Sequence, residues 1–204
     1  IGNYFVSLLA QSAQTVLPIL ILEILGPQAN GFAYIPLQLS FTASSFGFSL
    51  ATSAFAESAH HLPEAYQIVT RSLAASLVIS LVLTLVMLIG APVTMAWFGV
   101  EYARESTGLL RLASLAGPFM VLNQNYYTLL RLEKRIGQLI LLSLACLILT
   151  VGVAYFLMPA HGIQASGIGL LVGHASVSIF ILILTRSRAV TFIGRDSGVG
   201  NEAG

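Results

Sequence analysis

The chain has 204 residues, of which 56% are hydrophobic and 8% charged, with a formal net charge of +1. A soluble domain carries about 25% charged residues, so this composition excludes an ordinary water-soluble globule and points to bilayer-spanning helices. The near-zero charge offers nothing to nucleic acid. The single cysteine, Cys146, excludes an intramolecular disulfide and a thiolate metal site.

Six apolar blocks follow one another, at about residues 4–25, 32–55, 72–98, 107–131, 137–157 and 162–185. Each is long enough for the roughly 20 residues that a spanning helix needs. The predicted fold is an all-α integral membrane protein, a six-transmembrane-helix bundle over residues 1–186. The first block opens at Ile1 with no basic n-region and no cleavage site, so it is read as a helix and not as a signal peptide. The chain is expected to be a part of a longer protein.

Turn-forming stretches separate the blocks: "GPQANG" (26–31), "ESAHHLPEAYQ" (57–67), "FGVEYAREST" (98–107), "RLEKRIG" (131–137) and "MPAHGIQ" (158–164). The third block exceeds the bilayer thickness, and Gly90 and Pro92 predict a kink near its end. Residues 187–204 are polar and glycine-rich and are predicted to be a disordered cytoplasmic tail.

Lys and Arg set the orientation. Arg71, Arg131, Lys134, Arg135, Arg186, Arg188 and Arg195 fall on one side, and Arg104 and Arg111 on the other, seven against two. By the positive-inside rule the loops after blocks two and four, and the C-terminus, are cytoplasmic.

Polar residues form stripes at helical spacing. The first block carries Asn3, Ser7, Gln11, Gln14 and Pro18. The second carries Gln38, Thr42, Ser45, Ser49 and Thr52, with Phe41, Phe48 and Phe55 on its other faces. The fourth carries Arg111, Ser114, Pro118, Asn125 and Thr128, interrupted by Val121. For any one stripe, hydrogen bonding between helices is a sufficient account. Three long stripes together point to a shared aqueous cavity.

Asn123, Gln124 and Asn125 are consecutive, so they fan over about 200° of a helix at roughly 100° per residue and cannot share one stripe. Asn125 is expected to face the cavity, and Asn123, on the far side, to pair with a neighbouring helix. The proposed cavity set is Gln11, Gln14, Gln38, Thr42, Ser45, Ser49, Arg111, Ser114, Asn123, Gln124, Asn125 and Thr128. Arg111 is expected to meet phosphate or to anchor at the interface.

Other candidates have plainer readings. Ala165, Gly169 and Gly173 form a small-xxx-small packing face in the sixth block, not a phosphate loop. His60 and His61 are adjacent, so a helix would point them about 100° apart, away from a common metal. His174 reads as a packed, hydrogen-bonded histidine. Glu23 is expected to reach the interface rather than couple an ion. No catalytic set is present: no H-E-x-x-H, no G-x-S-x-G and no pair of intramembrane carboxylates. No cofactor or metal is expected.

Three stretches resemble a known family in their order. "ILGPQANGFAYI" resembles the loop between the seventh and eighth helices of oligosaccharide flippases. "FGVEYARESTGLLRLASLAGPFMVLNQNYYTLLRLEKR" resembles their ninth-to-tenth segment, a polar helix ending in a basic loop. "LMPAHGIQASGIG" resembles the eleventh-to-twelfth turn. The resemblance covers nearly all of residues 1–186 and is to the Wzx-type branch of the multidrug/oligosaccharidyl-lipid/polysaccharide superfamily. It implies the C-terminal six-helix lobe of a two-lobed flippase in the bacterial inner membrane. The partners it implies are a lipid-linked glycan substrate, membrane lipid and the missing N-terminal lobe of the same chain. The family's cavity walls come mainly from the first, second and fourth helices of this lobe. Few charges lie on the stripes, which departs from strong pyrophosphate capture. A cation-coupled drug exporter of the same superfamily is the alternative, and would need an acid on the cavity face. An intramembrane enzyme acting on lipid-linked sugars, or a non-transporting scaffold, fits less well.

Overall fold

The computed structural model describes residues 2–60 and 65–196. All regular structure among them is helical: α1 (Gly2–Leu25), α2 (Pro27–His60), α3 (Ala65–Ala96), α4 (Val100–Glu105), α5 (Thr107–Leu115), α6 (Gly117–Leu132), α7 (Ile136–His161) and α8 (Gln164–Asp196). Three contain stretches long and apolar enough to cross a membrane: Arg71–Ala96, Ile136–His161 and Gln164–Thr185. The described part of α1 holds a shorter apolar helix, Ser12–Leu25. The outer face of α3 is a continuous apolar surface of Val78, Leu81, Val82, Leu85, Val86, Ile89 and Val93. A patch of this extent marks contact with lipid or a partner and not with water.

Glycines set three of the turns. Gly26, Gly99 and Gly162 have φ of 87°, 128° and 56° and end α1, α3 and α7 in backbone regions that side chains avoid. After α6 the chain reverses through Lys134, at φ 56°. There the Arg135 N–H reaches back to the Leu130 carbonyl at 2.8 Å and closes the helix end.

Several boundaries differ from expectation. The stretch 98–107 is not simply a loop but holds the six-residue helix α4, with Glu101 in its first turn and Arg104 in its last, each suited to the helix dipole. The predicted span 107–131 is two helices that meet at Ala116, where Gly117 and Pro118 interrupt the hydrogen-bond ladder. The predicted break at 57–67 is shorter: α2 runs to His60 and α3 begins at Ala65. The predicted disorder from residue 187 is not met as far as Asp196, because α8 continues. No glycine or proline precedes Gly194 there, and a formed helix gains one bond per added residue. Residues 197–204, and His61 with the rest of 61–64, lie outside the described residues.

A proline inside a helix frees the carbonyl four residues earlier, and here three such carbonyls are taken up by side chains from a neighbouring segment. Pro36 of α2 frees the Phe32 carbonyl, which accepts from Ser106 Oγ at 2.7 Å. Pro92 of α3 frees the Leu88 carbonyl, which accepts from Arg111 Nε at 3.1 Å. Pro118 of α6 frees the Ser114 carbonyl, which accepts from Thr84 Oγ1 at 3.1 Å. All three bonds use residues 106–114, so α5 and its N-terminal turn are tied to α2 and α3. This is how prolines are tolerated where no water can repair the ladder.

Packing completes the bundle. Leu17, Ile21, Leu37, Phe41, Leu109, Met120, Met158 and Leu170 fill the core between α1, α2, α5 to α8. The Ala165, Gly169, Gly173 face of α8 packs on α7 as expected: a Cβ on Gly169 would strike the Thr150 carbonyl, and one on Gly173 the Thr150 hydroxyl.

Candidate functional site

The polar residues divide into an outward strip and an inward set. On α2, Gln38, Thr42, Ser45 and Ser49 are all exposed, while Leu37, Ser40, Phe41 and Ser44, on the opposite side, are buried. The three hydroxyl protons of the strip are spent on their own helix. Thr42 Oγ1 donates to the Gln38 carbonyl at 2.8 Å, Ser45 Oγ to the Thr42 carbonyl at 2.6 Å, and Ser49 Oγ to the Ser45 carbonyl at 2.9 Å. Their oxygens remain acceptors, and the Gln38 amide supplies donors. On α1, Gln14 and Thr15 are likewise exposed and Pro18 is half-buried. The side chains of Asn3, Ser7, Gln11 and Thr52 lie outside the described residues.

The α6 amides follow the expected division only at Asn123. Asn123 is buried between α6 and α8, as a paired amide should be. Its Nδ2 donates to the His174 carbonyl at 3.1 Å and sits 3.3 Å from His174 Nδ1, and its Oδ1 accepts from Ser178 Oγ at 2.8 Å. Asn125, expected to face a cavity, is 2% exposed. Its Nδ2 donates to the Val121 carbonyl of its own helix at 2.9 Å. Thr128, on the same face, is also buried and bonds back to the Gln124 carbonyl. The cause is that α6 is packed on both sides, by α8 on one and by α2 and α3 on the other. Gly47 of α2 brings α2 so close that a side chain there would run into Val121. Gln124, between the two buried amides, is the one left half-exposed.

Ser114 is also inward, 3.5 Å from Ser40 Oγ. Arg111 is exposed, but its Nε serves the Leu88 carbonyl, so part of its guanidinium repairs α3. Glu23 is exposed near the end of α1.

A buried hydroxyl seam was not anticipated. Ser80 and Thr84 of α3 face Ser40 and Ser44 of α2 and Ser114 across a small gap, and Ser76, one turn before Ser80, is buried too. The signal was present as serines and a threonine four residues apart in the third block, hidden by the surrounding Leu and Val. His174 and Ser178, four apart in α8, were likewise readable as a pair.

Asn123 and His174 also border a partly open chamber of about 60 Å³, with Gln124, Tyr127, Ser143 and Cys146. Cys146 Sγ lies 3.5 Å from His174 Nδ1. Among the described residues no three His, Cys, Asp or Glu side chains come together as a metal site. No protein-family model, curated protein or solved structure matches the chain.

Proposed function

We propose that this chain is the C-terminal six-helix lobe of a transporter in the bacterial cytoplasmic membrane. The whole protein flips a polyprenyl-pyrophosphate-linked oligosaccharide across that membrane by alternating access, for polysaccharide biosynthesis. The six spans are α1, α2, α3, the joined pair α5 and α6, α7 and α8. The seven-to-two split of Lys and Arg gives a cytoplasmic C-terminus.

The outer face of α2 carries this reading. Gln38, Thr42, Ser45 and Ser49 are exposed beside a helix, α3, whose outer face is apolar. A polar strip of that length is unfavourable against hydrocarbon and favourable against water or a hydroxylated ligand. Amides that donate and accept, next to hydroxyl oxygens that accept, match the hydroxyls of a sugar. The strip holds no charged side chain, so it addresses the glycan, and phosphate contacts fall to the N-terminal lobe.

The test uses the full-length protein. Gln38→Leu combined with Thr42→Val should sharply reduce export of the lipid-linked glycan, whereas Val82→Leu on α3 should leave it unchanged, at equal membrane abundance. Equal export by both variants would remove the α2 strip from the transport path and with it this reading.

A further inference from the structure

The chamber between α6, α7 and α8 contains polar groups that the fold leaves unfinished. Asn123 is fully engaged with His174 and Ser178. Tyr127 Oη and Ser143 Oγ are not. Both residues are nine-tenths or more buried, at 5% and 4% exposure, and line the same chamber. They lie side by side, yet neither completes a hydrogen bond of ordinary geometry. Buried hydroxyls in an apolar bundle are costly without a partner. The wall of the space is mostly apolar but carries several donors and acceptors, and the space is about 60 Å³ in volume. One water needs about 10–15 Å³ of such space, so a pair has room.

We propose that this chamber is an internal hydration site, in which a pair of ordered waters seats on Tyr127 Oη and Ser143 Oγ and joins α6 to α7. The lining argues for water over an ion. No Asp, Glu, Lys or Arg borders the space, and Ala13, Phe48 and Leu147 close its other walls. Half-exposed Gln124 lies at its border and gives a polar route inward from the surface. The bound water completes the hydrogen bonds that the side chains lack, at a joint where helices meet in lipid and no bulk water can do so. This assignment stands on the chamber itself and does not depend on what the protein transports.

Cys146 reports on the site directly, because it is the single cysteine of the chain and lines the chamber. The infrared S–H stretch of the chain in lipid nanodiscs is followed after transfer to heavy water. The band should convert to S–D without unfolding. The melting temperature of the Tyr127→Phe/Ser143→Ala double variant gives a second, independent sign. Hydroxyls that hold water lose real bonds when deleted, so the melting temperature falls. Hydroxyls that are simply unpaired are a burden, so their deletion raises it. An S–H band that persists in heavy water overturns the proposal, even if the variant melts lower, because the hydroxyls then bond only to each other. A raised melting temperature also overturns it, even if exchange occurs. Should the variant not fold, exchange in the unaltered chain decides alone.

Discussion

α2 and α3 lie against each other, and both are rich in small hydroxyl residues, yet they dispose them differently. On α3 the hydroxyls of Ser76, Ser80 and Thr84 all turn inward, and the outer face is Val, Leu and Ile. On α2, Ser40 and Ser44 turn inward to meet them, but Thr42, Ser45 and Ser49 turn outward with Gln38. The inward hydroxyls also donate to their own helices at Ser40, Ser44 and Ser76, but they meet across the α2–α3 packing, where Thr84 reaches the Ser114 carbonyl and Ser40 lies 3.5 Å from Ser114 Oγ. The outward strip of α2 has no such role within the chain. The contrast teaches that polarity inside a bilayer protein is informative chiefly where packing does not consume it.

The largest effect should come from setting a charge on each outer face. Leu85→Arg places a guanidinium midway along the apolar face of α3, which costs about 2.5–3.5 kcal/mol for membrane insertion. Ser45→Arg on α2 should cost far less. Membrane-integrated protein, measured for each variant, separates them. Equal losses would mean that both faces meet lipid, and the comparison would collapse.

A smaller effect distinguishes the two buried amides of α6. Asn123→Leu removes bonds to α8, and an interhelical hydrogen bond of this kind is worth about 0.6–1.7 kcal/mol. Asn125→Leu removes only a bond within α6 and relieves an unpaired Oδ1, so it should be neutral or slightly stabilising. Denaturation midpoints in detergent measure both. A larger loss for Asn125→Leu would show that the amide has a partner outside this chain.

The smallest effect sharpens the role of the repairs. Arg111→Met should cost about 1 kcal/mol, the net value of one hydrogen bond. In a Pro92→Ala background the restored N–H at position 92 serves the Leu88 carbonyl, and Arg111→Met should then cost nothing. A double-mutant cycle reads the coupling. If the two substitutions add without coupling, the arginine acts elsewhere.

Much of the helix pattern was legible in the sequence, and the reasons are local. The apolar blocks at 72–98, 137–157 and 162–185 are helices because their backbone groups can be satisfied within each segment. Gly26, Gly99 and Gly162 break the chain because glycine reaches the backbone angles required there. The outward strip on α2 was readable from its spacing. The α6 stripe was read at the right spacing but assigned to the wrong surroundings. Asn125 and Thr128 are buried because α2 and α3 pack on that side of α6, which spacing along one helix does not show.

The sequence by itself determined the solvent, the helices and most of their limits, because hydropathy, glycine and proline act within a few residues. Only the tertiary structure decided which polar faces turn inward. In water, hydrophobicity distinguishes the core side of a helix from its surface. In a bilayer both sides are apolar, so that distinction is lost and close packing takes its place. Asn123 is inward because His174 and Ser178 meet it from α8, and Asn125 because Gly47 lets α2 close over that side of α6. Those partners stand 51, 55 and 78 residues away along the chain, beyond the reach of any local pattern.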